Sequence, residues 1–184
     1  MLDGPDRDDV QAALGGDGEA YARIVRRHQD PIAAYMWRFT RDRGQWEELV
    51  SDVFVEAYLS LRGFRGRAPL AHWLKRIATR VGYRWWKQRA RRQKNAALPI
   101  REWDQAAKTD QSAANAEEAG ALVHAVLALL PARDRLVLSL LYLEECSVAE
   151  AAQWTGWSQT MVKVQAYRAR KKLKRFLEEA RTQS

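Results

Sequence analysis

The stretch from Ser147 to Phe176, SVAEAAQWTGWSQTMVKVQAYRARKKLKRF, constrains this chain more than any other. Ser147 followed three residues later by Glu150 has the form of a capping box, each side chain satisfying a free backbone N–H at a helix start. The short helix it opens runs through Trp154, and Gly156 supplies the backbone freedom for a tight turn. Ser158 then caps a longer helix. Along it Val162, Ala166, Ala169, Leu173 and Phe176 recur at spacings of four, three, four and three, an apolar stripe one helix face wide. Two helices joined at a glycine-containing turn, the second basic and amphipathic, make a helix-turn-helix.

An ordinary helical hairpin with a solvated basic face is the plain alternative. Against it, no acidic residue interrupts Ala151 to Leu177, while seven lysines and arginines fall between Lys163 and Arg175. A helix that is merely soluble mixes both signs in i, i+4 pairs. One sign on one helix favours phosphate as the partner.

The same segregation runs through the 184 residues, whose formal net charge is +8. From Arg62 to Lys94 there are twelve Lys/Arg and no Asp/Glu, whereas the first twenty residues hold six acids against one arginine. Such a distribution points to a polyanion-binding surface. The lone Cys146 excludes an internal disulfide and suits a reducing cytoplasm. His28, His72 and His124 make no metal-ligand spacing, so structural roles are expected for them and no metal or cofactor is implied. The acidic, polar start is no signal peptide, and no apolar run reaches the roughly 20 residues that cross a bilayer. The expectation is a cytoplasmic protein without membrane insertion.

All strong periods are helical, so the fold class is all-α. Residues 1–16 read as an acidic leader, frayed or weakly helical. Asp17 can cap a helix carrying Tyr21, Ile24, Val25, His28, Ile32, Tyr35, Met36 and Phe39, in which Pro31 predicts a kink or break near His28 to Asp30, with Arg43-Gly44 ending it. Trp46 to Leu61 is a second helix with Leu49, Val50, Val53, Phe54, Ala57, Tyr58 and Leu61 inward. Its other face bears Glu47, Glu48, Asp52 and Glu56, either a solvated face or a docking site for a basic protein surface. Arg62 to Ala68 is a basic loop built on Gly63 and Gly66, with Pro69 at the first turn of a third helix. There Leu70, Trp73, Leu74, Ile77, Ala78, Val81 and Trp85 are expected inside and Lys75, Arg76, Arg80, Arg84, Lys87 and Arg91 outside. The cations of the loop and helix, with Phe64, Tyr83 and Trp86, can neutralise a nucleic-acid backbone and stack unpaired bases. Residues 94–117 lose periodicity and read as a flexible linker, where Trp103 invites a contact. From Glu118 a helix carries Leu122, Val123, Val126, Leu129 and Leu130. Pro131 starts another with Leu136, Val137, Leu140, Leu141 and Leu143, the two packing under the helix-turn-helix.

Two basic helical domains in this order resemble the extracytoplasmic-function sigma factors of bacterial RNA polymerase. EELVSDVFVEAY (Glu47 to Tyr58) is similar to the family's region 2.2, and FRGRAPLAHWLKRIATRV (Phe64 to Val81) to regions 2.3 and 2.4. Leu127 to Ser158 and VKVQAYRARKKL (Val162 to Leu173) are similar to region 4. The resemblance implies a region 2 domain over 17–93, the linker over 94–117 and a region 4 domain over 118–184.

It further implies that Glu47, Glu48, Leu49, Asp52 and Phe54 bind the clamp helices of the core polymerase's largest subunit, with the flap as a second polymerase contact. Phe64, Arg65, Arg67, Arg76, Arg80, Arg84, Trp86 and Lys87 would recognise and open the minus-10 element. Ser158, Gln159, Thr160, Lys163, Val164, Tyr167, Arg168, Arg170 and Lys171 would engage the minus-35 element in promoter DNA. An anti-sigma factor covering these surfaces is a further implied partner.

The sequence departs from the family pattern at Ser51, Asp52 and Val53, at Arg80 and Arg84, and at Val164 and Gln165, so no family promoter sequence carries over. The rivals are a stand-alone helix-turn-helix regulator, which leaves the acidic helix and the 62–92 segment without a joint purpose, and a nucleic-acid enzyme, which lacks convergent catalytic groups.

Overall fold

The computed structural model describes residues 4–95 and 114–182, and Trp103 lies outside them. Among the described residues the regular structure is helical throughout. Eight α-helices follow in order: α1 (Gly4–Leu14), α2 (Gly18–Met36), α3 (Arg43–Ser60), α4 (Leu70–Asn95), α5 (Ala114–Ala128), α6 (Ala132–Leu138), α7 (Val148–Thr155) and α8 (Gln159–Thr182). A 3₁₀ turn, Leu61–Gly63, follows α3, and a π-helical turn, Ser139–Leu143, extends α6. The chain divides into two compact units, Met1–Trp85 and Trp86–Ser184.

In the first unit, carboxylates set the helix starts. Asp17 Oδ1 accepts from the backbone N–H groups of Glu19 and Ala20, and Asp42 Oδ1 from Gln45, so each side chain occupies donors that the first helical turn leaves open. The Asp42 cap begins α3 three residues before Trp46, so Arg43-Gly44 opens a helix here instead of closing one. Contrary to the expected break, α2 runs through Pro31. The ring is exposed, and the turn after it is fastened by buried Ile32, Tyr35 and Met36 and by Trp46 Nε1–H donating to the Ala33 carbonyl at 2.7 Å. Packing outweighs the one backbone bond that proline cannot make.

The core of this unit joins Ile24, Met36, Val53, Leu70, Leu74 and Val81, all nearly or wholly removed from water. Each contributes about 1.5–3 kcal/mol of transfer free energy. Within it the Tyr35 hydroxyl meets Thr79 Oγ1 at 2.7 Å, tying α2 to α4 with both polar atoms satisfied. Gly82 of α4 lies against Phe39: a Cβ at that position would fall 2.3 Å from a ring carbon. Tyr58, expected inside, is 54% exposed.

Residues 4–14 are helix, not a frayed leader. Asp6 and Asp9 are buried against α2, where Arg27 bonds both at 2.5 and 2.6 Å, Arg23 bonds Asp9 at 2.8 Å, and His28 Nε2 lies 3.0 Å from Asp6. These acids pair with cations i and i+4 apart on the neighbouring helix, a pairing that spacing within one helix cannot disclose. The Arg27 hydrogen bond, against the opposing effect of burial, leaves the Asp9 carboxyl below its ordinary range, with Arg23 adding to the lowering.

In the second unit, Ser147 and Glu150 form the full capping box, Gly156 turns the chain in the left-handed region at φ 75°, and Ser158 Oγ caps α8 through the Met161 N–H. Val162, Ala166 and Ala169 are buried under α8, with Leu173 and Phe176 half-buried. Asp134, 1% exposed, accepts from the Gln165 amide and from Lys172 Nζ at 2.5 Å, so α6 holds α8 at two points two turns apart. On α5, Leu127 is buried, as is Leu130 just beyond it, while Leu122, Val123 and Leu129 are exposed, which corrects the stripe expected there.

Gly82→Ala should lower the stability of the first unit by about 1–3 kcal/mol, because α4 or Phe39 must move to admit one methyl group; urea unfolding measures it, and an unchanged midpoint contradicts the close approach. Asp9→Asn should cost about 1–2 kcal/mol through its charged hydrogen bonds. Because the folded state depresses the Asp9 pKa, its stabilisation is present at neutral pH. It disappears as pH falls from about 4 through the folded value, and the variant should lack that part of the acid response.

Candidate functional site

Three surfaces carry the residues singled out by the sequence. The first is the outer face of α3. Glu48 and Asp52 are exposed, and Val55 and Leu59, 55% and 76% exposed, continue the same line at i+3 and i+7 from Asp52. Glu47 stands beside this line and pairs with Arg43 at 3.1 Å. The stripe is therefore acidic in its first half and apolar in its second. Leu49 and Phe54 are not on it: both are core residues at 4% and 7% exposure, since the same helical period that turns Asp52 outward turns them in. Their assignment to a docking surface is corrected to one of supporting it.

Next to the stripe, α2 and α3 form an open groove of about 760 Å³ lined by Tyr21, Val25, Trp46, Val50 and Tyr58, among others. The Tyr21 hydroxyl donates to the Phe54 carbonyl at 2.5 Å while its ring meets Tyr58 edge-on at 4.9 Å. Burial pushes the Tyr21 pKa up to about 12, so the phenol stays a neutral donor. The exposed apolar members Val55 and Leu59 escaped the sequence reading, although a helical projection from Asp52 places them outward.

The second surface is the 62–68 loop with the outer face of α4. Phe64 is half-buried, its ring 5.0 Å from that of Trp73, so it is propped at the mouth of the loop by a core-facing indole. Gly66 takes φ 66°, which lets Arg65 and Arg67 project outward on either side. Arg76, Arg80, Arg84 and Lys87 are exposed along α4 at spacings of four, four and three. Partial desolvation, added to by the Arg76 guanidinium, holds the Arg80 pKa below the usual arginine range. Arg84 is engaged with Glu56 of α3 at 2.6 Å, so one member of the cationic row is already neutralised inside the unit.

Trp86, expected to offer its ring to a base, is 4% exposed and belongs to the second unit, with the Arg135 guanidinium 4.0 Å above its face. A ring covered on its face cannot stack an incoming base, so Trp86 is corrected to a packing residue. Its neighbour Trp85, expected in the core, is only half-buried.

The third surface is the face of α8 opposite its buried stripe. Thr160, Val164, Tyr167 and Lys171 follow one another at spacings of four, three and four, 180° or nearly so from Val162, Ala166 and Ala169. All four are exposed, and Ser158, Gln159, Lys163 and Arg168 are exposed around them. Arg170 reaches sideways to the Tyr142 hydroxyl at 2.8 Å. Arg133 at the start of α6 was missed by the sequence reading. It reaches the same surface, stacked over Trp157 at 4.8 Å with Nη2 3.0 Å from Met161 Sδ. Its only sequence signal was a basic residue just after Pro131.

Among the described residues, no group of three or more His, Cys, Asp or Glu side chains could hold a metal ion, and no helix is long and apolar enough to cross a membrane. Chemically, the arrangement offers hydrogen-bond donors, cations and apolar contacts.

Comparison with known proteins gives these surfaces a common frame. Residues 24–92 match the family model for Sigma-70 region 2, and residues 121–173 match that for Sigma-70, region 4. The chain is 27% identical over 177 residues to the RNA polymerase sigma-H factor of Pseudomonas aeruginosa, covering 92% of each chain. It is 28% identical over 163 residues to the RNA polymerase sigma factor YlaC of Bacillus subtilis, covering 86% of this chain and 92% of that one. Among solved structures it resembles CnrH, determined in complex with the cytosolic domain of CnrY, with a TM-score of 0.62 and 25% identity over 95% of this chain and 98% of that one. The chain's relatives also include the ECF RNA polymerase sigma factor SigX of Bacillus subtilis, 28% identical over 157 residues, covering 82% of this chain and 79% of that one. The two matched regions, in this order, place the chain in the sigma-70 family.

Proposed function

We propose that this sigma factor joins core RNA polymerase through the outer face of α3 and directs it to promoters through the two cationic surfaces. The observation that carries the reading is the separation of sign by surface. Glu48 and Asp52 stand exposed on α3, while α8 from Gln159 to Leu177 bears no acid. A basic protein helix is attracted to the first surface and duplex DNA is repelled from it; the reverse holds for α8.

In this reading Glu47, Glu48 and Asp52 attract the clamp helices of the largest subunit, and Val55 and Leu59 supply the apolar contact that charge alone lacks. The second unit meets the polymerase flap. Phe64, Arg65 and Arg67 capture an unpaired base and its phosphates in the minus-10 element, while Arg76, Arg80 and Lys87 follow the strand. Opening the duplex costs a few kcal/mol of stacking, offset by the aromatic and phosphate contacts. Arg84 takes part by exchanging Glu56 for phosphate.

In the minus-35 element Gln159, Thr160, Lys163, Val164 and Tyr167 face base edges. Ser158, Arg168, Arg170 and Lys171 hold the backbone and so fix the register. The protein itself carries out no catalysis, acts in the cytoplasm with the polymerase, and is restrained by an anti-sigma factor. A stand-alone regulator would have no use for an exposed acidic-apolar stripe on α3.

Transcription by the purified chain with core polymerase on a promoter library tests the whole reading, and no transcript from any promoter refutes it. Asp52→Lys or Glu48→Lys should weaken core binding about tenfold or more without changing the unfolding midpoint, by reversing a charge at the contact; equal affinity in a titration of labelled core removes the docking claim. Lys163→Ala should lower promoter affinity by losing a base-edge contact and, because its ammonium also displaces counterions within the groove, reduce the slope of log affinity against log salt by at most about one. Wild-type affinity and slope would show that α8 is not the reader.

A further inference from the structure

The sequence-reading face of α8 is not uniformly polar. Met161 and Val164, 41% and 43% exposed, are one turn apart and continue to Arg168 along the same flank of the helix. Together with Arg133, Ser158 and Thr160 they line a shallow depression of about 340 Å³. Its floor is apolar and its rim is cationic: Arg168 lies on one side, and Arg133 is fixed on the other by its stacking on Trp157 and its contact with Met161 Sδ. Gln165, which also borders the depression, has its amide N–H committed to Asp134. Met161 and Val164 themselves offer a base no hydrogen bond, and the hydroxyls of Ser158 and Thr160 border them.

Two exposed apolar side chains in the first turns of a cationic helix need a reason. Water is a poor partner for them, and so is a base edge made of nitrogen and oxygen, whose donors and acceptors would lose hydration against the floor without replacement. In the major groove one base edge presents carbon at its rim, the 5-methyl group of thymine. We propose that Met161 and Val164 receive the 5-methyl group of a thymine in the minus-35 element, with Arg133 and Arg168 on the phosphates flanking it. The inference rests on α8 lying in the major groove, as proposed above. It adds a specificity determinant at the two positions where the helix offers no hydrogen bond, and it brings α6 into the interface through Arg133.

Removing the methyl group alone tests this. The promoter duplex bound most tightly by the holoenzyme, found by selection, is remade with deoxyuridine replacing each minus-35 thymine in turn, and affinities are compared by fluorescence anisotropy. One uracil duplex should bind about fourfold more weakly, the ratio expected from burying a single methyl group. Val164→Ser, which removes both methyl groups and leaves a hydroxyl, should bring that ratio close to one, and Arg133→Ala should weaken the thymine and uracil duplexes equally. Uracil duplexes that all bind like the parent, a selected element without thymine in either strand, or a ratio that survives Val164→Ser each overturn the methyl contact. Where Lys163→Ala still weakens every duplex, the failure is confined to this inference; where it weakens none, α8 is not the reader and both fall together.

Discussion

Val162, Ala166 and Ala169 lie almost wholly out of water beneath α8, and the use of that helix depends on their being small enough to let it sit close. An α-helix has one set of directions to share between core and solvent. Committing the inner stripe to packing leaves Thr160, Val164, Tyr167 and Lys171 on the far side without any further device. Packing fixes which face looks outward but only loosely fixes rotation and slide along the neighbour. Asp134 supplies that second constraint, since a carboxylate excluded from water must keep both Gln165 and Lys172. The first of these bonds also commits the Gln165 amide N–H to the interior. A structural clip in the interior thus edits the set of donors left outside.

The first unit solves a different problem, that of keeping opposite charges on neighbouring helices from cancelling each other. The acids Glu48 and Asp52 lie on the side of α3 turned outward, whereas the cations of α4 run along its own exposed edge. Glu56 and Arg84 meet at 2.6 Å, partly in solvent, where such a pair contributes little to stability. Most of the charge on each face remains available, and the long-range field of the unit stays divided. Deeper in, where cancellation would do no harm, it is complete: Asp6 and Asp9 are each matched to arginine on α2.

Local patterns survived the passage from sequence to structure, and long-range ones did not. The capping box at Ser147, the glycine turn at Gly156 and the stripe under α8 depend on residues within a few positions of each other, so their spacing carries the whole signal. The same holds for the inward faces of α2 and α4. Leu49 and Phe54 were misplaced for a different reason. They lie inside a motif that reads as a surface, and the resemblance took precedence over a helical period that already turned them inward. Trp86 went wrong because its cover, Arg135, lies 49 positions further along the chain. The helix at 4–14 looked weak because its stability comes from Arg23, Arg27 and His28 across a helix–helix contact, and its own composition shows only unbalanced acid. Arg133 and the Asp134 clip were hidden alike, since each acquires its meaning from a partner on α8.

The π-helical turn from Ser139 to Leu143 stands just ahead of the helix-turn-helix, with the Glu144 N–H reaching back five residues to the Ser139 carbonyl. Such a turn holds one residue more than the α-helix would use to travel the same path. It works as a phase shifter: each residue advances the direction of the side chains by about 100°, so the extra one decides the azimuth at which the chain leaves toward Cys146 and α7. Shortening this segment by a single residue would preserve every motif downstream of it and yet launch the hairpin on a different bearing.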